Sequence, residues 1–242
     1  MKKLFKKLFK KLLVVAIVLV SIAIIAAGFL TYRAYHVSPL SDEEISRIGE
    51  NKATRLMIVA HPDDETLWGG IHLLDGEYFV VCITNGNNSV RREEFYNVLK
   101  ESKNDGIILS YPDKVCGKRD SWENVRAYIE SDIERIIESR DWDMVVTHNP
   151  EGEYGHIHHQ TVSSIVTEKC SEYGIEKALW YFGKYYRKSD IENVHEDIRQ
   201  YDSEKTACKE SLLSLYISQE RTIGKLSHMN PYENWISYEA WQ

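Results

Sequence analysis

The sequence predicts an α/β domain, in which a mostly parallel sheet is flanked by helices, preceded by one N-terminal transmembrane helix. Three observations support this fold class. The 242 residues are 43% hydrophobic and include only 5 prolines, so there is enough apolar side chain to bury a core. Short β-rich runs alternate with longer amphipathic runs, which is typical of βαβ units. An uncharged apolar run of helical length stands near the amino terminus.

Residues 1–11 form a basic segment, and residues 12–32 are predicted to be a transmembrane anchor. The basic segment holds six lysines and no acid, and the anchor holds no charged residue. Nineteen helical residues, Leu12–Leu30, rise about 28 Å, close to the roughly 30 Å hydrocarbon core of a bilayer. The lysines place the amino terminus in the cytoplasm and the remaining chain on the outer face of the cell membrane. A cleaved signal peptide is the alternative, although its apolar run is usually only about 7–15 residues long.

Composition also limits the classes of partner and of cysteine chemistry. The net charge is −7 despite the lysines at the amino terminus, so the rest of the chain is more acidic still. Such a domain would repel phosphate polymers, and no nucleic-acid partner is expected.

The four cysteines show no C-x-x-C spacing. The sequence leaves their disulfide state open.

Residues 33–54 are predicted to be a tether or a short helix, and residues 55–242 a single domain. Its first half contains runs rich in Val, Ile and aromatic residues, each followed by an amphipathic run. The predicted elements there are a strand at Leu56–Val59, a helix near Glu65–Leu74, a strand at Tyr78–Ile83, a helix at Arg91–Lys103 and a strand at Ile107–Leu109.

The second half of the domain continues the same alternation. The predicted elements there are a helix at Trp122–Glu138, a strand at Asp143–Thr147, a helix at His159–Cys170, a strand at Lys177–Phe182 and a helix at Ser203–Ser218. Isoleucines of the Trp122–Glu138 run recur in helical register, which makes this helix the clearest of the set. The alternation predicts a Rossmann-like parallel sheet whose ligands bind at the carboxyl ends of the strands.

The first cluster of candidate site residues directly follows the first predicted strand. Pro62 fixes its own φ and cannot continue a strand interior, so the chain turns sharply and holds His61, Asp63 and Asp64 on that turn. Histidine and aspartate suit a zinc-type ion as nitrogen and oxygen ligands, and the second aspartate remains free as a base. The alternative is a solvated acidic turn at a helix N-terminus.

The second cluster follows the Asp143–Thr147 strand. Three histidines, His156, His158 and His159, fall within four positions, and the first and last face the same way in a helical turn. A histidine-rich surface turn is the alternative. Since a parallel sheet gathers its carboxyl ends, the two clusters are expected to meet. Together they supply two histidines and an aspartate for a metal with an open fourth position, as in catalytic zinc sites.

With these motifs the sequence resembles the PIG-L/LmbE-like zinc-dependent de-N-acetylase family. The family's A-H-P-D-D-E turn is present as Ala60–Glu65, and its G-H-x-x-H motif as Gly155–His159. Weaker marks are Thr84-Asn85-Gly86, Val90–Phe95 and Pro112-Asp113. The resemblance covers roughly residues 55–220 and includes neither the anchor nor the last twenty residues.

The resemblance implies a metal centre for Zn²⁺ or another divalent transition metal. Its ligands would be His61, Asp64 and His159, and Asp63 would be the general base. Many members of the family have Pro-Asp between the two histidines of the second motif, whereas this chain has Ile157-His158. The extra imidazole competes for the role of ligand, but the spacing of the motif favours His159.

The resemblance also implies groups that act on the substrate. His156 would be an acid or a cationic oxyanion stabiliser, and Tyr154 a second donor to the tetrahedral intermediate. Arg91 and Asp113 match sugar- or phosphate-contacting positions. His148 is interpreted as a turn or supporting residue.

The expected function is that of a membrane-anchored N-deacetylase. Its substrate would be an N-acetylglucosamine-type amino sugar in a glycan or glycolipid. The alternative is a non-catalytic, carbohydrate-binding membrane protein on the same fold, which would have no need of the base Asp63. A soluble thiol-glycoside substrate is disfavoured because such compounds are cytosolic. The aromatic C-terminal tail, with Trp235 and Trp241, is predicted to pack on the domain rather than to stack on sugars.

Overall fold

The computed structural model describes residues 2–194 and 198–241. The helices are α1 (Lys2–Tyr35), α2 (Asp42–Gly49), α3 (Asp64–Leu73), α4 (Ser89–Glu101), α5 (Arg126–Glu138), α6 (Ile157–Glu172), α7 (Ile191–Val194), α8 (Ser203–Leu213), α9 (Glu220–Leu226) and α10 (Tyr238–Trp241). The strands are β1 (Arg55–Val59), β2 (Tyr78–Thr84), β3 (Asp105–Tyr111), β4 (Lys114–Val115), β5 (Lys118–Arg119), β6 (Met144–Thr147), β7 (Leu179–Tyr181) and β8 (Ile236–Ser237).

Six strands form one sheet in the order β3-β2-β1-β6-β7-β8. All neighbouring pairs are parallel except β7 and β8, which are antiparallel. The predicted mostly parallel α/β sheet is confirmed. From β1 the chain builds outward to β2 and β3, and it then returns to the other side of β1 as β6. The crevice between the carboxyl ends of β1 and β6 is therefore the topological switch point, where such sheets bind ligands.

Both faces of the sheet are covered, as the alternation of side chains along β1 shows. Leu56 and Ile58 belong to the apolar cluster beneath α2, α5 and α6. Met57 and Val59 belong to the cluster beneath α3, α4 and α8. All four side chains are fully buried. Because a central parallel strand is buried on both faces, it reads as a continuous apolar run.

Two elements of the central region differ from the sequence expectation. The helix predicted from Trp122 begins only at Arg126, because Trp122 adopts φ 62° and its ring lies inside the domain. A two-stranded hairpin, β4 and β5, precedes it and was not predicted, since two-residue strands leave no periodic signal. This hairpin carries Arg119 to the rim of the site.

The segment 33–54, expected to be a tether or short helix, packs on the domain. α2 begins with a capping box formed by Ser41 and Glu44. Leu40 and Ile48 are buried in the same cluster as α5. The Leu40 backbone N–H donates to Asp132 at 3.0 Å. The segment thus contains the short helix of the expectation, and this helix packs against the cluster that includes α5.

The amino-terminal helix meets the physical requirements of a membrane span. Its Phe5–Tyr32 portion is long and apolar enough to cross a bilayer, and its apolar stretch is not buried against the described part of the chain. A signal sequence would have the same properties. The helix is therefore a candidate transmembrane span.

The carboxyl-terminal tail is held to α8 by a buried ion pair and to α3 by a hydrogen bond. Glu233 accepts a hydrogen bond from Lys209 Nζ at 2.7 Å, and both side chains are fully buried. The same carboxylate accepts the backbone N–H of Ile71 at 2.9 Å. Trp235 stacks on His72 with ring centroids 3.7 Å apart, so the tail packs on the domain as predicted. His195, a lone histidine in the sequence, lies outside the described residues.

We predict that Glu233→Ala lowers the free energy of unfolding by about 3–5 kcal/mol, because it leaves the Lys209 ammonium buried without its charged partner. Denaturant unfolding of the full chain in detergent measures this change. Glu130→Ala is the matched control, since Glu130 pairs with Arg126 at the partly exposed surface of α5. Such a pair contributes at most about 1 kcal/mol. Equal destabilisation by the two changes would contradict the role assigned to the tail.

Candidate metal centre and active site

Two loops meet at the switch point of the sheet. The first runs from the end of β1 into α3 and carries His61, Asp63 and Asp64. The second runs from the end of β6 into α6 and carries the histidines of the second cluster. Ile58 of β1 lies in register with Thr147 of β6, so the two loops leave the sheet side by side. The two clusters therefore lie next to each other, as the sequence predicted.

The Asp64 carboxylate lies at the centre of this meeting point. Its Oδ2 atom is 3.1 Å from His61 Nδ1, 3.3 Å from His159 Nε2 and 3.5 Å from His148 Nε2. One ligand atom from each of His61, Asp64 and His159 lies within 4.8 Å of the other two. These three side chains can therefore reach one small cation.

The hydrogen bonds of His159 fit such a cation. Its Nδ1 lies 2.5 Å from Glu153 Oε2 and donates to it, so Nε2 is the nitrogen that has a lone pair when the ring is neutral. That Nε2 is buried and has no hydrogen-bond partner. Burial lowers the pKa of His159, but Asp64 and Glu153 outweigh it and raise the pKa to about 10. The two carboxylates that favour a proton on this ring would also favour a divalent metal ion at Nε2.

Glu153 is a residue of the site to which the sequence assigned no role. Its Oε2 also lies 3.0 Å from His148 Nδ1, and its Oε1 accepts the Asn149 backbone N–H at 3.0 Å. Burial raises the pKa of Glu153, but His148 and His159 outweigh it and lower the pKa to about 2. Carboxylates that orient a metal-binding histidine in this way fix its tautomer.

His148 is a supporting residue, as its position at a strand end predicted. Its ring is completely buried, and its Nε2 accepts the Ala60 backbone N–H at 2.9 Å. Glu153 holds the other ring nitrogen. With both nitrogens engaged, His148 ties the end of β1 to the second loop instead of offering a free lone pair.

Asp63 occupies a strained and buried position beside Asp64. Its φ is 125°, a conformation that residues with a side chain rarely adopt. Arg91 lies 3.5 Å from Asp63 Oδ1 and also donates to the Pro62 carbonyl, which fixes the turn. Burial is the main cause that raises the pKa of Asp63 to about 8; Asp64 adds to it and Arg91 opposes it. Asp63 lines the cavity without joining the group of three ligand atoms.

His156 and Tyr154 line the same cavity of about 280 Å³. His156 Nδ1 accepts the His158 backbone N–H at 3.2 Å, so its Nε2 carries the proton of the neutral ring. Burial, with the nearby His159 and His61, lowers the pKa of His156 to about 2. The expected cationic His156 is therefore corrected to a neutral ring that can still donate through Nε2–H. The Tyr154 ring lies 5.9 Å from that of His156 and is 43% exposed.

His158, the competing imidazole, is engaged on all sides. Its ring stacks on Trp122 at 3.9 Å, and its Nε2 donates to the Asp120 carbonyl at 2.7 Å. Its Nδ1 lies 3.0 Å from His61 Nε2. Since a carbonyl only accepts, Nδ1 is the acceptor from His61. These contacts leave His159 as the histidine of α6 whose lone pair faces Asp64.

The remaining predicted substrate-contacting residues stand at the cavity wall. Arg91 and Asp113 both line the cavity. Asp113 Oδ1 lies 3.5 Å from His61 Nε2 and accepts a hydrogen bond from Arg119 at 2.7 Å. Burial raises the pKa of Asp113, but the contacts with His61 and Arg119 outweigh it and hold the pKa well below its usual range. Arg119, on the short hairpin, is a site residue that no sequence pattern indicated.

This arrangement agrees with the match of the chain to a family model. Residues 56–170, which contain both loops, match the model described as PIG-L, GlcNAc-PI de-N-acetylase. This segment of the chain is PIG-L/LmbE-like. The resemblance noted from the two motifs is thereby confirmed.

One relative and two solved structures are similar to this chain. An uncharacterized protein of Acanthamoeba polyphaga mimivirus is 33% identical over 132 residues, which cover 48% of this chain and 57% of that protein. The A40926 pseudoaglycone deacetylase Dbv21 matches with a TM-score of 0.53 and 17% identity over 72% of this chain and 85% of that one. The zinc-inhibited form of teicoplanin deacetylase Orf2 matches with a TM-score of 0.54 and 15% identity over 71% and 86%. At these identities the structures support the fold.

We predict that Glu153→Gln weakens Zn²⁺ binding by about 10–100-fold, the usual loss when a carboxylate behind a metal-binding histidine is removed. An amide in place of the carboxylate no longer fixes the Nδ1–H tautomer of His159. Competition with a chromogenic chelator measures the affinity. Glu151→Gln is the matched control, because Glu151 is exposed in the same loop. Unchanged Zn²⁺ affinity in Glu153→Gln would contradict the supporting role assigned to Glu153.

Proposed function

We propose that this chain is a membrane-anchored, metal-dependent hydrolase that removes an N-acetyl group from an N-acetylglucosamine-type amino sugar in a glycan or glycolipid. The observation that carries the proposal is the convergence of His61, Asp64 and His159, with Asp63 beside them, inside a segment that matches a de-N-acetylase family. A binding protein would need neither a buried metal centre nor an adjacent carboxylate.

His61, Asp64 and His159 would hold Zn²⁺ or another divalent transition metal. The donor set of two imidazoles and one carboxylate is that of catalytic zinc sites, which keep one position for water or substrate. The bound ion would supply acidification of a water molecule and polarisation of the amide carbonyl. Glu153 would hold the His159 ring with its lone pair toward the centre.

Asp63 is the residue proposed for proton transfer. Its carboxylate would take the proton of the attacking water as the water oxygen bonds to the acetyl carbon. It would return that proton to the sugar nitrogen when the C–N bond breaks, which releases acetate and the free amine. Arg91 and the strained turn hold this carboxylate in place. General acid–base catalysis of this kind typically contributes about 10²–10⁴-fold.

His156 and Tyr154 are proposed to stabilise the oxyanion. The negative charge that develops on the acetyl oxygen requires hydrogen-bond donors already in place. The neutral His156 offers Nε2–H, and Tyr154 offers a hydroxyl that is free to reach a ligand in the cavity. Arg91 and Asp113 would contact the sugar or an adjoining phosphate, and Arg119 stands beside Asp113 at the same wall.

The proposed location is the cell membrane, with the amino terminus in the cytoplasm and the catalytic domain outside. The six lysines before the apolar helix support this orientation. An amino sugar at the cell surface is then the substrate within reach. Protease added to intact cells should digest the domain, and protection of the domain would reverse this orientation.

We predict that Asp63→Asn and Asp64→Asn separate the two roles of the adjacent aspartates. Asp63→Asn should keep the metal but lower turnover by about 10²–10⁴-fold, because the amide cannot accept the proton. Asp64→Asn should weaken metal binding, because a neutral amide is a poorer ligand than a carboxylate. Zinc content and release of acetate from N-acetylglucosaminyl lipids and cell-wall fragments are measured on the same preparations.

Asp63→Asn with full metal and near-normal turnover would contradict the proton-transfer role. Full metal in Asp64→Asn would contradict the ligand role. Bound metal without acetate release from any substrate of the panel would favour the carbohydrate-binding alternative.

A further inference from the structure

The domain end of the membrane helix contacts the loop that supports the site. Tyr35, the last residue of α1, donates through its hydroxyl to Asp120 Oδ2 at 2.5 Å. The candidate span ends at Tyr32. Three helical residues rise about 4.5 Å, so the contact lies roughly one helical turn beyond the span. The helix is therefore joined to the domain by a specific side-chain contact as well as by the covalent backbone.

Asp120 in turn holds His158 in two ways. Its carbonyl oxygen accepts the Nε2–H of His158 at 2.7 Å. Its Oδ1 accepts the Trp122 backbone N–H at 2.7 Å, and the ring of Trp122 stacks on His158. Asp120 and the ring of Trp122 are buried, so these contacts are shielded from water. The position of Asp120 thus sets both the tautomer and the plane of the His158 ring.

His158 in turn orients the His61 ring through a hydrogen bond. Because its Nε2–H is donated to a carbonyl, its Nδ1 accepts from His61 Nε2 at 3.0 Å. His61 Nδ1 lies 3.1 Å from Asp64 Oδ2, and Arg119 Nη1 and Asp113 Oδ1 also lie within 3.5 Å of its Nε2. A His61 ring that donates from Nε2 to His158 would leave Nδ1 as the nitrogen that binds the ion beside Asp64. Hydrogen bonds on the outer nitrogen of a metal-binding histidine commonly fix its orientation in this way.

We propose that Tyr35 is a positioning residue that couples the membrane helix to the metal centre through Asp120, His158 and His61. The inference rests on the proposed function of the site. A hydroxyl that donates to a carboxylate makes a charge-assisted hydrogen bond, which is about twice as strong as a neutral one. The same contact holds the site next to the end of the span.

The test uses the full chain in detergent and in phosphatidylcholine vesicles, with Zn²⁺ and Co²⁺ alone as probes. Tyr35→Phe keeps the ring and removes only the donor. We expect about 3–10-fold weaker metal binding, because a hydrogen bond to a charged group is lost but acts through two intervening residues. The visible absorption of bound Co²⁺ should also change, since it reports the geometry of the ligands.

Tyr32→Phe is the matched control. Tyr32 lies one turn earlier on the same helix, is 61% exposed and stacks on His36. Its variant should bind metal as the unaltered chain does. Asp120→Asn is a second variant, which keeps the acceptor for the Trp122 N–H but weakens the partner of Tyr35. Adding Tyr35→Phe to Asp120→Asn should cause little further loss if the two residues act as one pair.

Unchanged metal affinity and Co²⁺ absorption in Tyr35→Phe would overturn the inference, even if the melting temperature falls. Fully additive losses in the double variant would overturn it as well. If the unaltered chain binds metal and releases acetate while Tyr35→Phe is unaffected, the proposed function stands and this inference fails. If the unaltered chain binds no metal, both fail.

Discussion

Burying a carboxylate among imidazole rings is unfavourable unless a positive charge compensates it. Asp64 is 2% exposed and lies within 3.5 Å of ring nitrogens from three histidines, so a positive charge at the centre of this domain is favoured. Several local features hold Asp64 and the histidines in this arrangement. Pro62 turns the chain at the end of β1, and Glu153 directs the lone pair of His159 toward Asp64. The carboxyl ends of two adjacent parallel strands bring the two loops together.

The chemistry proposed for the site depends on a difference in pKa and in contacts between the two adjacent aspartates. Asp64 faces the histidines, and the ion pairs with them hold its pKa well below the usual range despite burial. Asp63 faces Arg91 and the cavity, and burial raises its pKa to about 8. The turn that separates them is strained, with φ 125° at Asp63. Strain of this kind is tolerated where the surrounding contacts fix the backbone, as Arg91 does here through the Pro62 carbonyl.

The sequence predicted the sheet and the pairing of the two clusters because both follow from strand–helix alternation and from the geometry of parallel strand ends. It indicated His159 over His158 from motif spacing, and the stacking of His158 on Trp122 agrees with that choice. Glu153 and Arg119 were assigned no role, since only tertiary contacts distinguish them from neighbouring charged residues. The charge of His156 was expected to be positive, yet burial among other imidazoles makes the ring neutral. Packing of residues 33–54 depends on Leu40 and Ile48, two isolated apolar residues in a polar segment.

The central claim is that His61, Asp64 and His159 form a centre for one divalent ion. Equilibrium dialysis of the full chain against saturating Zn²⁺, with the variants His159→Ala and His158→Ala, tests it most directly. The account predicts about one ion per unaltered chain, about one ion in His158→Ala, and loss of the ion in His159→Ala. Full occupancy in His159→Ala together with loss in His158→Ala would contradict it.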